Sequence, residues 1–526
     1  MAQIGSVRHG DESGASQMAY VGTSRGCGVA LRATLPRLPR STMRAKAVAT
    51  CWAVSVVLLG GCSSGSGAGT SGGSATSSSD PITGVRWGEP YEALAAQVAR
   101  DRGIPWEKVV GVTLISPTRE PAGTRDASPS PDPEAPRRTA LQRALGLISE
   151  ADAQAAPGLS GAHPQGVGVP GNYVAGRIEI ADDGTISPAD KRLLVHQMVL
   201  ALDYQQLANR TPPEPADEHN AKLRVMQSQG DATLGERDYL ASLTLSEGQA
   251  LRKDTAIPGY ALSIDDAEQV AFARQTPVVA RIDAVANWMS GAVGIRALQA
   301  LRSPTARDDL LIAPLRSQAA LLSPALLGTG ATDADPVIPD LDRFSYRGVT
   351  GWHEQFDLSV VTLALALGAV EDPELGLDVV DAFGGLTAYT APGAPCALVK
   401  LRWTGPKSGL ADRAVAALAS LRGGGVVADQ PYTYSFCGEG ATVTEAQARR
   451  AVGPIVYRLV IYSELLKAGI KPEPAQLVAQ EFALDPKNAD DQWEVLTGWP
   501  ADPELVARAI ARAQATSPAA TSLEPE

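Results

Sequence analysis

The sequence predicts an α+β fold that is mostly α-helical. Two observations carry this reading. Apolar residues at helical spacing run through long segments, at 187–207, 217–240, 277–302 and 446–468. Strand-like runs are few and short, and glycine and proline punctuate the chain between elements. With 526 residues, 44% of them apolar and 20% charged, the chain is globular in composition and long enough for one large domain or two ordinary ones.

A helical pattern covers 91–102 and a β-rich run covers 109–115. The Pro/Ser/Asp-rich stretch at 117–138 reads as a loop. Residues 173–180 alternate like one half-buried strand, and Asp183-Gly184 supplies a turn. The next helix is expected to start at Ser187, whose hydroxyl suits an N-cap. Pro188 suits the first helical position, and Asp190 meets the positive end of the helix. This helix is apolar on most sides, which places it in the core, and Pro212, Pro213 and Pro215 end it. Further helices are expected at 265–275, 358–367, 410–421 and 473–483, with strands near 386–389 and 397–403. Gly423-Gly424-Gly425 follows a helix and reads as its stop. The polar tail at 516–526 is expected to be disordered.

The formal charge of −12 and the lack of a useful basic run argue against a nucleic-acid partner. Near the start, Met43-Arg44-Ala45-Lys46 precedes a short apolar run that ends Leu59-Gly60-Gly61-Cys62. A basic region, an apolar stretch too short to span a bilayer and small residues at a cleavage point make a leader. The ending resembles a bacterial lipobox, which implies cleavage before Cys62 and a thioether-linked diacylglycerol on it. Added acyl chains such as palmitate would complete a stable membrane anchor. Residues 1–42 fit poorly ahead of a leader, so translation is expected to begin at Met43, with the leader at 43–61. The Ser/Gly-rich stretch at 62–80 is a flexible tether, and 81–515 is the main domain. Cys27 and Cys51 leave with the leader, so Cys396 and Cys437 remain in an oxidising compartment and are expected to pair. The alternative is two buried free thiols.

The block from Tyr173 to Leu240 carries the chemistry. It contains Leu194-Val195-His196-Gln197-Met198-Val199-Leu200-Ala201-Leu202 and, later, Gln229-Gly230-Asp231-Ala232. A zincin helix carries His-Glu-x-x-His, two metal ligands one turn apart with a glutamate base between them. This block resembles a group of bacterial and archaeal zinc-peptidase-like proteins whose helix reads His-Glu-x-x-His and whose later helix carries Glu-Gly-Asp-Ala. The resemblance implies a gluzincin-like core with a small β element. It also implies that Gln197 stands at the general base, Leu200 at the second histidine and Gln229 at the third ligand, while Asp231 hydrogen-bonds His196. Weaker likenesses lie at Arg102-Gly103-Ile104-Pro105, Ala144-Leu145-Gly146-Leu147, Leu315-Arg316-Ser317-Gln318 and Ala382-Phe383-Gly384-Gly385.

Leu200 has no lone pair, Gln229 is neutral and Gln197 cannot accept a proton at useful pH. The expectation is therefore a pseudopeptidase with no bound metal or cofactor, in which His196 itself reads as a satisfied buried histidine. It would be held on the extracytoplasmic face of the cell membrane, with the old cleft around His196, Gln197, Leu200 and Gln229 open to a peptide or protein ligand. Two alternatives stand beside it. One is an active metallohydrolase with a rearranged site drawing on His219, His353 and Glu354; the other is a structural envelope lipoprotein. His163 has no evident role.

Overall fold

The computed structural model describes residues 87–88, 91–115, 135–155, 171–174, 177–181, 186, 188–208, 221–257, 260–263, 277–355, 358–496 and 501–516. The expected leader, Cys62, the tether, Ser187, His163, His219, the helix at 265–275 and nearly all of the polar tail lie outside them.

The described chain is mostly helical, with small sheets, as the patterning predicted. Strands β1 (Gly111–Ile115), β2 (Gly171–Val174) and β3 (Arg177–Ala181) form one sheet, in which β3 lies between its partners, parallel to β1 and antiparallel to β2. Strands β4 (Thr255–Ile257) and β5 (Tyr260–Ser263) pair with each other. Strands β6 (His353–Gln355), β7 (Phe383–Thr390), β8 (Ala397–Trp403), β9 (Gly425–Val426) and β10 (Thr433–Phe436) form an antiparallel sheet in the order β6-β7-β8-β10-β9.

The expected single strand at 173–180 is two strands. Tyr173 pairs with Ile178 and Val174 with Arg177, so the chain reverses between them. Both arms alternate, so periodicity alone does not reveal the reversal. The loop expected at 117–138 gives way to a helix from Ala135 to Ala144. The short strands β6, β9 and β10 were not anticipated, because runs of two to four residues carry too little period to be read.

Three long helices form the frame of the larger core. Val278–Leu301 packs against both Ala221–Ser242 and Glu445–Lys467. Gly230 and Gly291 make the first of these contacts possible. A Cβ on Gly230 would lie 2.5 Å from the Gly291 carbonyl carbon, and one on Gly291 would lie 1.9 Å from the Met226 oxygen. The helix Glu445–Lys467 starts at a capping box in which Thr444 and Gln447 satisfy each other's backbone. The apolar helix Val360–Ala366 is capped by Ser359, which also donates to Asn287 on the central helix.

A second core surrounds the histidine helix, Pro188–Ala208. Leu194, Met198, Val199 and Leu202 are buried there against Ala95, Val98 and Ala99 of the helix Glu92–Arg102, and against Ile178 and Ile180 of β3. Burial on most of its circumference is what its near-continuous apolar pattern predicted.

Candidate functional site

Helical geometry brings the site together. Arg192 stands one turn before His196 on the histidine helix, and Glu236 stands two turns after Gln229 on the next helix. These two helices pack against each other, so all four side chains meet between them. His196 Nδ1 lies 2.5 Å from Glu236 Oε1, and Nε2 lies 2.8 Å from Gln229 Oε1. Arg192 Nε donates to the other Glu236 oxygen at 2.6 Å. Burial disfavours a charge on Glu236, but Arg192 and His196 outweigh it and hold the carboxyl down to about 2. Glu236 is therefore the ionised acceptor, and His196 Nδ1–H is the donor.

That leaves Nε2, the nitrogen a metal would need. It is committed to Gln229: Nε2–H donates to the amide oxygen or, with the amide turned over, the ring nitrogen accepts from its N–H. His196 is 3% exposed, Gln197 4% and Gln229 3%, so all three are buried. His196 and Gln229 close on each other, and Gln197 is buried beside them. Leu200, partly exposed, packs against the core of the histidine helix. The Trp288 ring stands 6.1 Å from the His196 ring and closes the other side. Gln197 Oε1 and Trp288 Nε1 are buried without a hydrogen-bond partner.

These residues do not fit zinc. A catalytic zinc takes about three protein ligands and an open water position. Here one imidazole nitrogen is already bonded, its partner is a neutral amide, and the third position is a leucine. Among the described residues no group of three or more His, Cys, Asp or Glu side chains could hold a metal. His353 stands exposed on β6 opposite Thr390 and brings no such group together.

Asp231 does not bond His196, contrary to what the resemblance implies. It faces the opposite way, into an ionic cluster with Arg102 and Arg307. Arg102 reaches Asp203 at 3.2 Å, Asp231 at 3.0 Å and Asp308 at 2.8 Å. Arg307 Nε bonds Asp231, its Nη2 donates to the Asp231 carbonyl at 2.8 Å, and its Nη1 pairs with Asp238 at 3.1 Å. Arg102, which ends the helix whose left-handed cap is Gly103, thus meets Asp231 in space. The cluster holds four carboxyl groups against two guanidinium groups, and protonation relieves the imbalance. Burial and the neighbouring Asp231 push Asp203 well above the usual carboxylate range. Burial also opposes ionisation of Asp231, but Arg307 and Arg102 prevail and lower it. Asp203 therefore holds its proton more tightly and shares it with Asp231.

No protein-family model matches the chain, and no curated protein or solved structure is significantly similar to it.

The resemblance to zinc peptidases thus rests on the quoted motifs alone. Glu236 and Arg192 were missed in the sequence. Their spacing, one turn before His196 and two turns after Gln229, was the available signal. It is weak without knowing that the two helices pack.

Cys396 and Cys437 lie at disulfide distance, with the sulfurs 2.13 Å apart. Phe436 pairs with Ala397, so the two cysteines continue the β8/β10 register by one step. Arg347 lies beside them, with Nη1 3.4 Å from the Cys437 sulfur.

Proposed function

We propose that this protein is a lipid-anchored, extracytoplasmic, non-catalytic module built on a gluzincin-like core, whose former metal centre has become internal packing. The observation that carries the reading is the His196–Gln229 hydrogen bond, which takes up the ring nitrogen a metal would need. The Glu236–Arg192 pair fixes the other face of the ring. The tether and anchor rest on the Leu59-Gly60-Gly61-Cys62 ending and the Ser/Gly stretch after it. Any peptide or protein partner is then met on the outer surface and not at His196. The closure favours one second reading, a structural envelope lipoprotein, because the buried triad offers a ligand no entry.

The test restores what is missing. A variant combining Gln197→Glu, Leu200→His and Gln229→Glu frees His196 from the amide and rebuilds two ligands and a base. Calorimetric titration should show the variant taking up one zinc per chain, with negligible uptake by the parent. A folded variant with no gain in zinc affinity would count against the gluzincin-like core. Globomycin-sensitive processing and radiolabelled-lipid incorporation at Cys62 test the anchor, and their absence from a Cys62→Ala chain is the expected control.

A further inference from the structure

The two paired cysteines have a cation fixed beside them. Cys396 and Cys437 face each other across β8 and β10, one step beyond the Ala397–Phe436 pair. Arg347 Nη1 lies 3.4 Å from the Cys437 sulfur and 3.7 Å from the Cys396 sulfur. Cys396 is buried, Cys437 is half-buried and Arg347 is exposed. The more accessible cysteine is thus the one nearer the guanidinium.

The backbone takes an unfavourable shape to put Arg347 there. Tyr346 and Val349 exchange two backbone hydrogen bonds, each of 3.0 Å, and close a two-residue hairpin turn. Its central residues, Arg347 (φ 50°) and Gly348 (φ 76°), are both left-handed. Asparagine, aspartate or glycine suits the first of these positions, and arginine there is disfavoured. The side chain is anchored as well. Its guanidinium carbon lies 5.5 Å from the centre of the Tyr346 ring, and the Tyr346 hydroxyl bonds the Ser435 hydroxyl at 2.7 Å, two residues before Cys437. Among the described residues Arg347 pairs with no carboxylate, so its charge faces the sulfurs. A costly backbone conformation that sets one side chain against a disulfide points to a role for that side chain. A guanidinium beside sulfur stabilises the thiolate, and a disulfide with a stabilised leaving thiolate exchanges faster.

We propose that Cys396–Cys437 is a thiol–disulfide exchange site for an external dithiol, with Arg347 stabilising the thiolate that leaves. One thiolate of the dithiol attacks the Cys437 sulfur, so that a mixed disulfide forms and the bond to Cys396 breaks. The electron pair of that bond stays on Cys396 as a thiolate beside Arg347. The second thiolate of the dithiol then attacks its own partner sulfur and displaces Cys437. The dithiol is oxidised to a disulfide, both cysteines are reduced, and the two protons the dithiol loses pass through water to the cysteine sulfurs. The site does not depend on how the His196 centre is read.

The experiment reduces the purified protein with dithiothreitol under native conditions and follows alkylation of Cys396 and Cys437 by peptide mapping. Both cysteines should be closed to alkylation before reduction and open after it, while circular dichroism shows the protein still folded. Arg347→Asn removes the charge and suits the turn better. It should melt no lower than the parent, yet its disulfide should be reduced about three- to tenfold more slowly. Once reduced, this variant should need a higher pH than the parent for the same rate of alkylation, a readout that a merely structural role for Arg347 would not move. Arg347→Lys keeps the charge and should lie closer to the parent on both measures. The proposal would be overturned by equal reduction rates in the parent and Arg347→Asn, by an unshifted pH profile, by Arg347→Lys behaving as Arg347→Asn does, or by a disulfide that opens only when the protein unfolds.

Discussion

At the residue scale, the fate of each polar side chain follows from who else is buried with it. His196 is held at both nitrogens, so its role is to join two helices. Asp203 and Asp231 show how a cluster with too many carboxyl groups settles. Asp203 Oδ2 takes no hydrogen bond from a nitrogen, Asp231 Oδ2 stands 3.0 Å from Arg102 Nη2, and a proton on Asp203 shared with Asp231 serves both. The two aspartates should therefore respond differently to removal of charge. Asp203→Asn retains an oxygen for Arg102 and supplies an N–H toward Asp231, so thermal melting at neutral pH should show little loss or a gain. Asp231→Asn leaves Arg102 and Arg307 undercompensated and should cost about 3–5 kcal/mol in urea unfolding. The pH dependence follows from the same shifts. Asp203 has a raised folded pKa, so its stabilising share is full below the unfolded value and is lost as pH rises through the folded one. Glu236 is the reverse: its share is full above the usual glutamate range and is lost as pH falls toward about 2. Stability curves of Asp203→Asn should lack the high-pH decline, and those of Glu236→Gln should lack the acid one.

At the element scale, the legibility of the sequence depended on length. The helices Val278–Leu301 and Glu445–Lys467 fall within a residue of expectation because many turns repeat one apolar face. The hairpin of β2 and β3 was misread as one strand, since two alternating arms and one longer arm give the same period. The Ala221–Ser242 helix adds a constraint that periodicity does not carry. Gly230 lies mid-helix, where glycine costs roughly 1 kcal/mol relative to alanine. Its reason is tertiary, since the helix carrying Gly291 passes too close for a methyl group. Gly291→Ala should lose at least about 1–3 kcal/mol through overpacking, visible as a lower urea midpoint. The link between β8 and β10 belongs to this scale as well. Peptide mapping without reductant should recover residues 396 and 437 in one linked species. Replacing both cysteines by serine should cost about 4 kcal/mol if chain entropy dominates, for a sequence separation of 41.

At the scale of the whole molecule, the candidate residues lie on two helices that pack side by side, and their side-chain partners are set by tertiary contacts. His196, Gln197 and Gln229 do converge, because the two helices that carry them pack side by side. Asp231 does not join them, because Arg102 and Arg307 arrive from distant parts of the chain and offer it a full positive charge. No local pattern encodes that competition. A single histidine with one amide and one carboxylate partner is a closed unit. Metal analysis of the purified protein, after equilibration with zinc and gel filtration, tests for closure most directly. No zinc should be retained above the buffer background; one tightly held zinc per chain, lost on His196→Ala, would contradict a closed centre.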